Sequence, residues 1–222
     1  MNNIIAVDGP SGVGKGTLRM KLGTHFGFET LDTGTFYRAV TFLMLEAGLW
    51  MEDSGAACEF AANLKEKYDI SELATDVRLR SAEVNANVSL IAKNSEVRRI
   101  LLDFQVDFAH NYAARGAKGA VLDGRDIGTV IAPDAAAKIF LVATAAERAK
   151  RRWLENQQRG LPGEFGEILK NIMERDRIDS TRKDSPTMAA DDALVIDTSE
   201  MDAEEVFDVA REFCEMKLGT KG

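Results

Sequence analysis

A glycine-rich stretch near the N-terminus, directly after a short apolar run, constrains the fold of this chain more than any other feature. Residues Ile4–Val7 have the length and the continuous apolar character of a buried β-strand. Three glycines, Gly9, Gly12 and Gly14, then free the backbone to turn tightly. Leu18–Leu22 begins a helix. The pattern therefore predicts a strand, a loop and a helix in direct succession.

The predicted loop has the chemistry of a phosphate-binding site. Backbone N–H groups of such a loop point inward at the helix N-terminus, where unpaired donors and the helix dipole favour a polyphosphate. Lys15 adds a mobile positive charge for the outer phosphates, and the spacing Gly9-x-x-x-x-Gly14-Lys15 is that of a Walker A loop. The residues expected to hold the polyphosphate are Gly9, Pro10, Ser11, Gly12, Val13, Gly14, Lys15, Gly16 and Thr17.

The position after Lys15 departs from the general pattern. Gly16 stands where that pattern has Ser or Thr, and the hydroxyl follows one residue later at Thr17. The run Gly-Lys-Gly-Thr resembles the loop of nucleoside monophosphate kinases more than that of GTPases. The sequence also lacks the Asn-Lys-x-Asp stretch with which a GTPase reads guanine, which argues against a GTPase switch.

Bulk properties narrow the class of protein. A chain of 222 residues can bury a full core, and its length suggests one domain or one domain with insertions. Its net charge of −8 argues against a dedicated nucleic-acid binder. No apolar run approaches the ~18 residues of a membrane span, and the first seven residues lack the basic start of a signal peptide. We therefore expect a cytoplasmic protein without nucleic-acid or membrane partners.

Short apolar strands alternate with helical patterns along the chain. Beyond the first strand, strands are predicted at 28–31, 120–122, 138–142 and 193–197. Helices are predicted from the loop to about His25, from Asp32–Thr35 onward, and over 54–66, 84–112, 145–158, 165–178 and 202–217. This order predicts an α/β, P-loop NTPase fold: a five-stranded parallel sheet with helices on both faces and ligands at the carboxyl ends of its strands.

Finer features accompany these elements. Gly27 is expected to cap the first helix at its C-terminus. The 84–112 pattern breaks near Lys93, and Ser95 is expected to cap the helix that follows. The polar segment 179–192 is predicted as a loop, and 68–80 is ambiguous between short strand and loop.

Arginine-rich sets of residues follow the predicted strand ends or lie in a basic segment. Residues 147–183 hold ten Lys/Arg against seven Asp/Glu in an otherwise acidic chain, which favours a small anionic ligand, although ion pairs on a solvated helical face would explain about half of these charges. Phosphoryl transfer between nucleotides brings mutually repelling oxygens together, and arginine forks can neutralise them. The sets are Asp32–Arg38, Ser89 with Arg98, Asp123–Thr129, and Arg175 with Asp179 and Arg182.

Taken together, these motifs resemble those of the bacterial cytidylate kinase family. The resemblance covers nearly the whole chain, from the glycine-rich loop through Leu31–Arg38 and Asp123–Thr129 to Arg175–Arg182. It implies that the ATP γ-phosphate is transferred to CMP or dCMP, giving CDP or dCDP. ATP would bind along Gly9–Thr17, and Mg²⁺ would enter with ATP, with the Thr17 hydroxyl near it through water.

The resemblance also implies an acceptor site. It assigns the acceptor phosphate to Thr33, Tyr37, Arg38, Arg125 and Arg175. It assigns the ribose hydroxyls to Asp179, and the surroundings of the cytosine to Ser89, Arg98, Asp126 and Arg182. The Asp126 carboxylate can accept from the exocyclic amine of cytosine but finds no donor on O4 of uracil, so we expect it to set base choice.

Each of these assignments has a simpler alternative. Asp126 could pair only with Arg125 or Arg98 in an ion network, and Ser89 could face a helix neighbour. Tyr37 could pack rather than bind phosphate. Arg175, Asp179 and Arg182 share one face of a continued helix, a pattern that is often an exposed ion-paired stripe.

The basic segment at about 147–183 is expected to form a lid. Arg148 and Arg152 lie four residues apart and so face the same way, and Arg152 is the candidate for reaching the ATP phosphates on closure, with Lys150 or Arg151 as alternatives. Closure would expel water and limit ATP hydrolysis. The catalytic candidates are Lys15, Arg125, Arg175 and Arg152, and no general base is assigned because the acceptor is already a phosphate dianion.

The predicted organisation is one monomeric nucleotide kinase domain. Its core covers 1–48, 85–145 and 190–222, and an acceptor-binding insert covers about 49–84. This insert is shorter than the strand-containing insert that the family often carries. The alternatives are another small P-loop kinase, of adenylate or shikimate kinase type, or a non-catalytic nucleotide-binding module.

Overall fold

The structure is a computed structural model that describes residues 2–68, 75–158, 160 and 163–219. Its strands are β1 (Ile4–Asp8), β2 (Glu29–Asp32), β3 (Ala120–Gly124), β4 (Ala137–Val142) and β5 (Leu194–Asp197). The α-helices among the described residues are α1 (Lys15–Phe26), α2 (Gly34–Glu46), α3 (Ser54–Lys67), α4 (Ala82–Ala92), α5 (Ser95–His110), α6 (Ala145–Gln158), α7 (Phe165–Thr181) and α8 (Ala203–Leu218). Short 3-10 helices cover Val77–Arg80 and Tyr112–Arg115, and one π-helical turn covers Ile127–Ile131.

The five strands form one parallel sheet in the order β2-β3-β1-β4-β5. β1 lies at the centre: Val7 pairs with Asp123 of β3 on one side and with Ile139 of β4 on the other. The predicted α/β fold with a five-stranded parallel sheet is confirmed. Because the strands are parallel, the carboxyl ends of β1, β3 and β4 all lie at the same edge of the sheet.

Both faces of the sheet are buried, as a parallel sheet requires. On one face, Ile5, Val7 and Ile139 pack with residues of α1 and α8 in a continuous hydrophobic core. Ile4 and Leu122 point to the opposite face and are also fully buried. The near-continuous apolar character of β1 therefore reflects cover on both sides.

Several predicted boundaries are confirmed and others are wrong by a few residues. Gly27 ends α1 in a left-handed conformation, as expected of a C-cap. The cap of α5 is Asn94 and not Ser95: Asn94 Oδ1 accepts from the N–H groups of Glu96 and Val97. The predicted loop 179–192 is wrong in its first three residues, because α7 continues to Thr181. Most of the ambiguous stretch 68–80, positions 69–74, lies outside the described residues.

The chain divides into two compact units. The first comprises residues 1–31 and 108–222 and contains the sheet core, α6 and α7. The second comprises residues 32–107, in which α2 packs against α3, α4 and the 3-10 helix Val77–Arg80. The predicted insert at 49–84 falls within this second unit. Within the ranges that the structure describes, no helix combines the length and the apolar character needed to cross a bilayer.

Candidate active site

The glycine-rich loop leaves the carboxyl end of the central strand, as the sequence predicts. Gly9 has a φ of 143°, and a Cβ built there would lie 2.3 Å from the carbonyl oxygen of Leu141, so no larger residue fits beside β4. Gly14 precedes α1 in a left-handed conformation with φ 97°. These two conformations direct the chain sharply from the strand into the helix, whose first N–H groups face the loop.

Lys15 is the first residue of α1 and is buried. Its Nζ donates to the carbonyl oxygen of Pro10 at 2.6 Å, so the ammonium group lies over the loop itself. From this position, the ammonium group could replace its hydrogen bond to the Pro10 carbonyl with one to a phosphate oxygen after only a small movement. The structure thus places the loop and its cation together.

A cavity of about 450 Å³ opens beside the loop within the first unit. On one side it is lined by loop residues, among them Gly12, Gly14 and Thr17. Side chains of α6 line another side, including Arg151 and Arg152. The remaining wall comes from the segment after β5 and from the start of α8: Thr198, Met201, Asp202, Ala203 and Val206.

The arginines of α6 divide into different roles. Arg148 is only 4% exposed: its Nη1 donates to the carbonyl oxygen of Ser11 at 3.1 Å, and its guanidinium pairs with Asp176 of α7. Arg151 donates to the hydroxyl and carbonyl oxygens of Thr198. Arg152 lines the cavity and lies 3.5 Å from Glu155. Arg148 joins the loop to α7, and Arg152 lines the same cavity as the loop residues.

A cluster of three arginines surrounds one buried carboxylate on α7. Asp179 Oδ2 lies 3.0 Å from Arg125 Nε and 3.8 Å from Arg175 Nε, and its Oδ1 lies 3.9 Å from Arg182 Nη1. Asp179 is 5% exposed, so the predicted alternative of an exposed stripe is wrong. Arg182 lies just past the end of α7 and still reaches the carboxylate.

The three arginines determine the ionisation of the carboxylate at the centre of this cluster. Burial raises the pKa of Asp179, but the charges of Arg125, Arg175 and Arg182 and the hydrogen bond from Arg125 outweigh it and hold this pKa below its ordinary value. Asp179 is therefore ionised at neutral pH. Three guanidinium groups and one ionised carboxylate thus lie together close to the end of β3.

Asp126 follows β3 and is buried, at the start of the π-helical turn. A second carboxylate holds this turn: Asp8, the last residue of β1, accepts from the N–H groups of Ile127 at 2.9 Å and Gly128 at 2.8 Å. Burial raises the pKa of Asp8 to about 6 against these hydrogen bonds, and the nearby charge of Asp126 adds to the rise. Asp8 thus fixes the backbone directly after the predicted base-reading residue.

In the second unit, the predicted acceptor residues lie on α2, α4 and α5. Arg38 Nη1 donates to Asn85 Oδ1 at 2.8 Å and to the carbonyl oxygen of Leu79 at 3.1 Å. The guanidinium of Arg98 lies over the ring of Tyr37, 5.5 Å from its centroid, in a cation–π contact. Thr33, which precedes α2, and Ser89 of α4 are both buried.

Comparison with known proteins identifies the family. A family model described as cytidylate kinase matches residues 5–215, almost the whole chain. The chain belongs to the cytidylate kinase family. A cytidylate kinase from Rhodopseudomonas palustris strain TIE-1 is 45% identical over 202 residues, which is 90% of each chain. One from Paramagnetospirillum magneticum is 45% identical over 210 residues, 95% of this chain and 96% of its own, and one from Fusobacterium nucleatum is 38% identical over 210 residues, 92% and 94%.

Several sets of residues from the sequence analysis fall within the range that the family model matches. The matched range contains the glycine-rich loop, the Asp-Gly-Arg-Asp run at 123–126 and the arginine cluster of α7. Among solved structures, a sugar kinase from Janibacter sp. HTCC2649 aligns over 100% of this chain and 99% of its own with a TM-score of 0.52. At 13% identity, this likeness shows a shared fold only.

Arg148 and Asp8 are among the side chains that hold site residues and that the sequence did not reveal in this role. Arg148 was recognised only as a neighbour of Arg152, because its partner Asp176 lies 28 residues away. Asp8 carried a signal: it is an acid at the carboxyl end of a fully buried strand, where a charged residue needs a specific partner.

Proposed function

We propose that this chain transfers the γ-phosphoryl group of ATP to CMP or dCMP, giving CDP or dCDP and ADP. Membership of the cytidylate kinase family supports this activity. The structural observation that carries it is the cluster of Arg125, Arg175 and Arg182 around Asp179. This is a second group of basic side chains besides Lys15 of the glycine-rich loop. A donor site alone would not need it, whereas transfer between two phosphates does.

The donor would bind along the loop. Gly9–Thr17 would hold the polyphosphate through backbone N–H groups, and Lys15 would move from the Pro10 carbonyl to the outer phosphates. Arg152 is the proposed lid residue for the same phosphates, since it lines the cavity beside the loop while Arg148 and Arg151 are held by Asp176 and Thr198. The nucleoside of ATP would lie in that cavity.

Mg²⁺ is proposed to enter with ATP. Thr17 is exposed and lines the cavity beside Gly12 and Gly14, and its hydroxyl is an oxygen ligand of the kind Mg²⁺ accepts, directly or through water, so the residues present fit the ion. When bound, Mg²⁺ neutralises charge on the phosphate oxygens. The protein would supply the rest of the positive charge through Lys15 and its arginines.

The residues that the family resemblance assigns to the acceptor fall into two sets. In the first unit, Arg125 and Arg175 would hold the phosphate, Asp179 the ribose, and Asp126 and Arg182 the base. In the second unit, Thr33, Tyr37 and Arg38 would hold the phosphate, and Ser89 and Arg98 the base. Direct in-line transfer needs no general base here, because the CMP phosphate is already ionised.

A coupled ADP-release assay with a panel of acceptors tests the activity. ATP with CMP or dCMP should react fastest, with UMP, AMP and shikimate far slower and ATP alone as the blank. A preference for AMP or shikimate would support the other small kinases instead, and release with no acceptor dependence would overturn phosphotransfer.

We also propose that the protein is a monomer. Light scattering should then give the mass of a single 24.3 kDa chain.

Two variants test the proposed residues. Lys15→Ala should lower transfer by about 10³-fold while CMP binding stays measurable, because it removes charge from the donor phosphates; Lys21→Ala, on the same helix but paired with Glu204, should change little. Asp126→Ala should reduce the CMP/UMP preference by at least about 10-fold, whereas Asp134→Ala should leave that ratio unchanged. An unaltered ratio in Asp126→Ala would remove the base-reading role.

A further inference from the structure

The second unit contains an arrangement that fixes one of the proposed phosphate-binding arginines. Nη1 of Arg38 donates to two acceptors at once, Asn85 Oδ1 at 2.8 Å and the Leu79 carbonyl oxygen at 3.1 Å. One guanidinium nitrogen carries two hydrogens, both in the plane of the group. Two acceptors on this nitrogen therefore set the plane of the guanidinium and the direction of all its other donors.

The amide of Asn85 is itself held on both sides. Its Oδ1 accepts from Arg38, and its Nδ2 donates to the carbonyl oxygens of Arg80 and Ser81, each at 2.9 Å. An amide has one oxygen and two N–H donors, so these three contacts use its donors fully. The reverse orientation would set NH₂ against a guanidinium and oxygen against two carbonyls, so only one orientation is favourable.

The local sequence explains why the acceptors lie there. Asp76 caps the 3-10 helix at Val77–Arg80 by accepting from the Arg78 N–H, and Leu79 anchors this helix with 3% exposure. Ser81 then caps α4, accepting through its hydroxyl from the Val84 N–H and through its carbonyl from the Asn85 N–H. Asn85 thus lies one turn into α4, where its side chain can reach back to the carbonyls of residues 80 and 81.

We propose that Asn85 is a positioning residue for the acceptor phosphate and acts through Arg38. This inference rests on the assignment of Arg38 to that phosphate under the proposed function. Arginine binds phosphate well only when its planar fork is aligned with the oxygens. Asn85 and the Leu79 carbonyl supply this alignment before CMP arrives, so that less side-chain freedom is lost on binding.

The experiment compares steady-state kinetics of Asn85→Ala with those of Asn87→Ala. Asn87 is the matched control: it lies on the same helix, and among the described residues its Nδ2 donates to the Glu83 carbonyl oxygen four residues earlier and not to an arginine site. Asn85→Ala should raise KM for CMP by about 10-fold and leave KM for ATP unchanged. A merely structural loss would lower the active fraction and hence kcat, with both KM values unaltered. KM does not depend on the folded fraction, so a partly unfolded variant still reports it.

Arg38→Ala and the double variant complete the test. If Asn85 acts through Arg38, then adding Asn85→Ala to the Arg38→Ala variant should not raise KM for CMP further. An Asn85→Ala value matching Asn87→Ala, or independent losses that multiply in the double variant, would overturn the inference while leaving the assignment of Arg38 intact. If Arg38→Ala leaves KM for CMP unchanged, the assignment fails and the positioning role fails with it.

Discussion

The glycine-rich loop and the arginine cluster around Asp179 are both proposed to bind phosphate, but they are built by different means. The loop depends on backbone geometry: Gly9 and Gly14 adopt conformations that other residues rarely adopt. The cluster depends on side chains from distant parts of the sequence, with Arg125 after β3 and Asp179 near the end of α7, 54 residues apart. The two regions thus show two ways to build a site. One uses the backbone of a short stretch of chain, and the other uses side chains that folding brings together.

This difference determines how each region should fail. A backbone-held site should be sensitive to any side chain that occupies the space of a glycine. A site held by ion pairs should be sensitive to the loss of one charge, because the remaining like charges are left close together in a partly dry environment.

Gly9→Ala tests the backbone side of the comparison and should have the largest effect. The new Cβ would lie 2.3 Å from the Leu141 carbonyl oxygen at a φ of 143°, so β1 and β4 must separate locally. We expect the free energy of unfolding to fall by about 4 kcal/mol from overpacking and backbone strain together. Urea denaturation followed by circular dichroism measures this change.

Gly166→Ala is the matched control for that substitution. Gly166 lies in α7, and a Cβ there meets no atom within 4 Å. Alanine should stabilise this helix by about 0.5 kcal/mol. Equal stability of the Gly9 and Gly166 variants would show that the loop does not depend on the close approach to β4.

Asp179→Asn tests the side-chain side. The amide keeps one acceptor for Arg125 but loses the charge that offsets Arg125, Arg175 and Arg182, so unfolding should become easier by about 3 kcal/mol. Since the pKa of Asp179 is held low in the folded state, the parent should keep this stabilisation at neutral pH and lose it only as the pH falls below the ordinary range of an aspartate.

Glu174→Gln is the control on the same helix. Glu174 pairs with Arg177, but both side chains are more than half exposed, so this pair should contribute little. If the two variants lose stability equally, the arginine cluster is no more dependent on its carboxylate than a surface pair is, and the contrast with the loop disappears.

Asp8→Asn should have the smallest effect. It sharpens the comparison because Asp8 ends the strand that carries the loop and its side chain also holds the turn after Asp126. Its folded pKa of about 6 lies above the 3.8 of an ordinary aspartate, so its contribution to stability grows as the pH falls and is lost as the pH rises through 6. The parent should gain about 1 kcal/mol between pH 7 and pH 5 from this group.

In Asp8→Asn this contribution to the pH slope should be missing. The variant should also be less stable at every pH, because the N–H groups of Ile127 and Gly128 bond to different carboxylate oxygens and asparagine replaces one of these oxygens with an NH₂ donor. The charges of Asp126 and Lys15 also act on Asp8 and remain in the variant. Denaturation at pH 5, 6 and 7 gives the difference between the two slopes. Parallel slopes would mean that Asp8 does not titrate in this range.

Features held by contiguous sequence could be predicted, and those held by distant partners could not. The strand, loop and first helix, and the Gly27 cap, follow from spacing and from the conformational freedom of glycine. The end of α7 was missed because the polar run after 178 is typical of a loop, while Asp179 is buried by arginines that periodicity does not reveal. Asn94 was missed as a cap because a serine stands beside it and both residues suit that position.

The candidate site divides in the same way. The types of residue at Arg38, Arg125 and Arg175 indicated phosphate, and the resemblance gave them roles, which remain proposals. What holds them could not be read from the sequence: Arg38 depends on Asn85, which is 47 positions away, and Arg148 joins the Ser11 carbonyl to Asp176 only in the folded chain. Such pairs depend on the packing of helices, for which spacing along the chain gives no signal.

The central position of β1 has a consequence for the shape of the attached loop between turnovers. Its two neighbours bond it along both edges, so local opening there would have to break two ladders of hydrogen bonds at once. The glycine-rich loop is therefore attached to a strand that is held on both edges. If this loop binds ATP as proposed, it should keep its shape when ADP leaves.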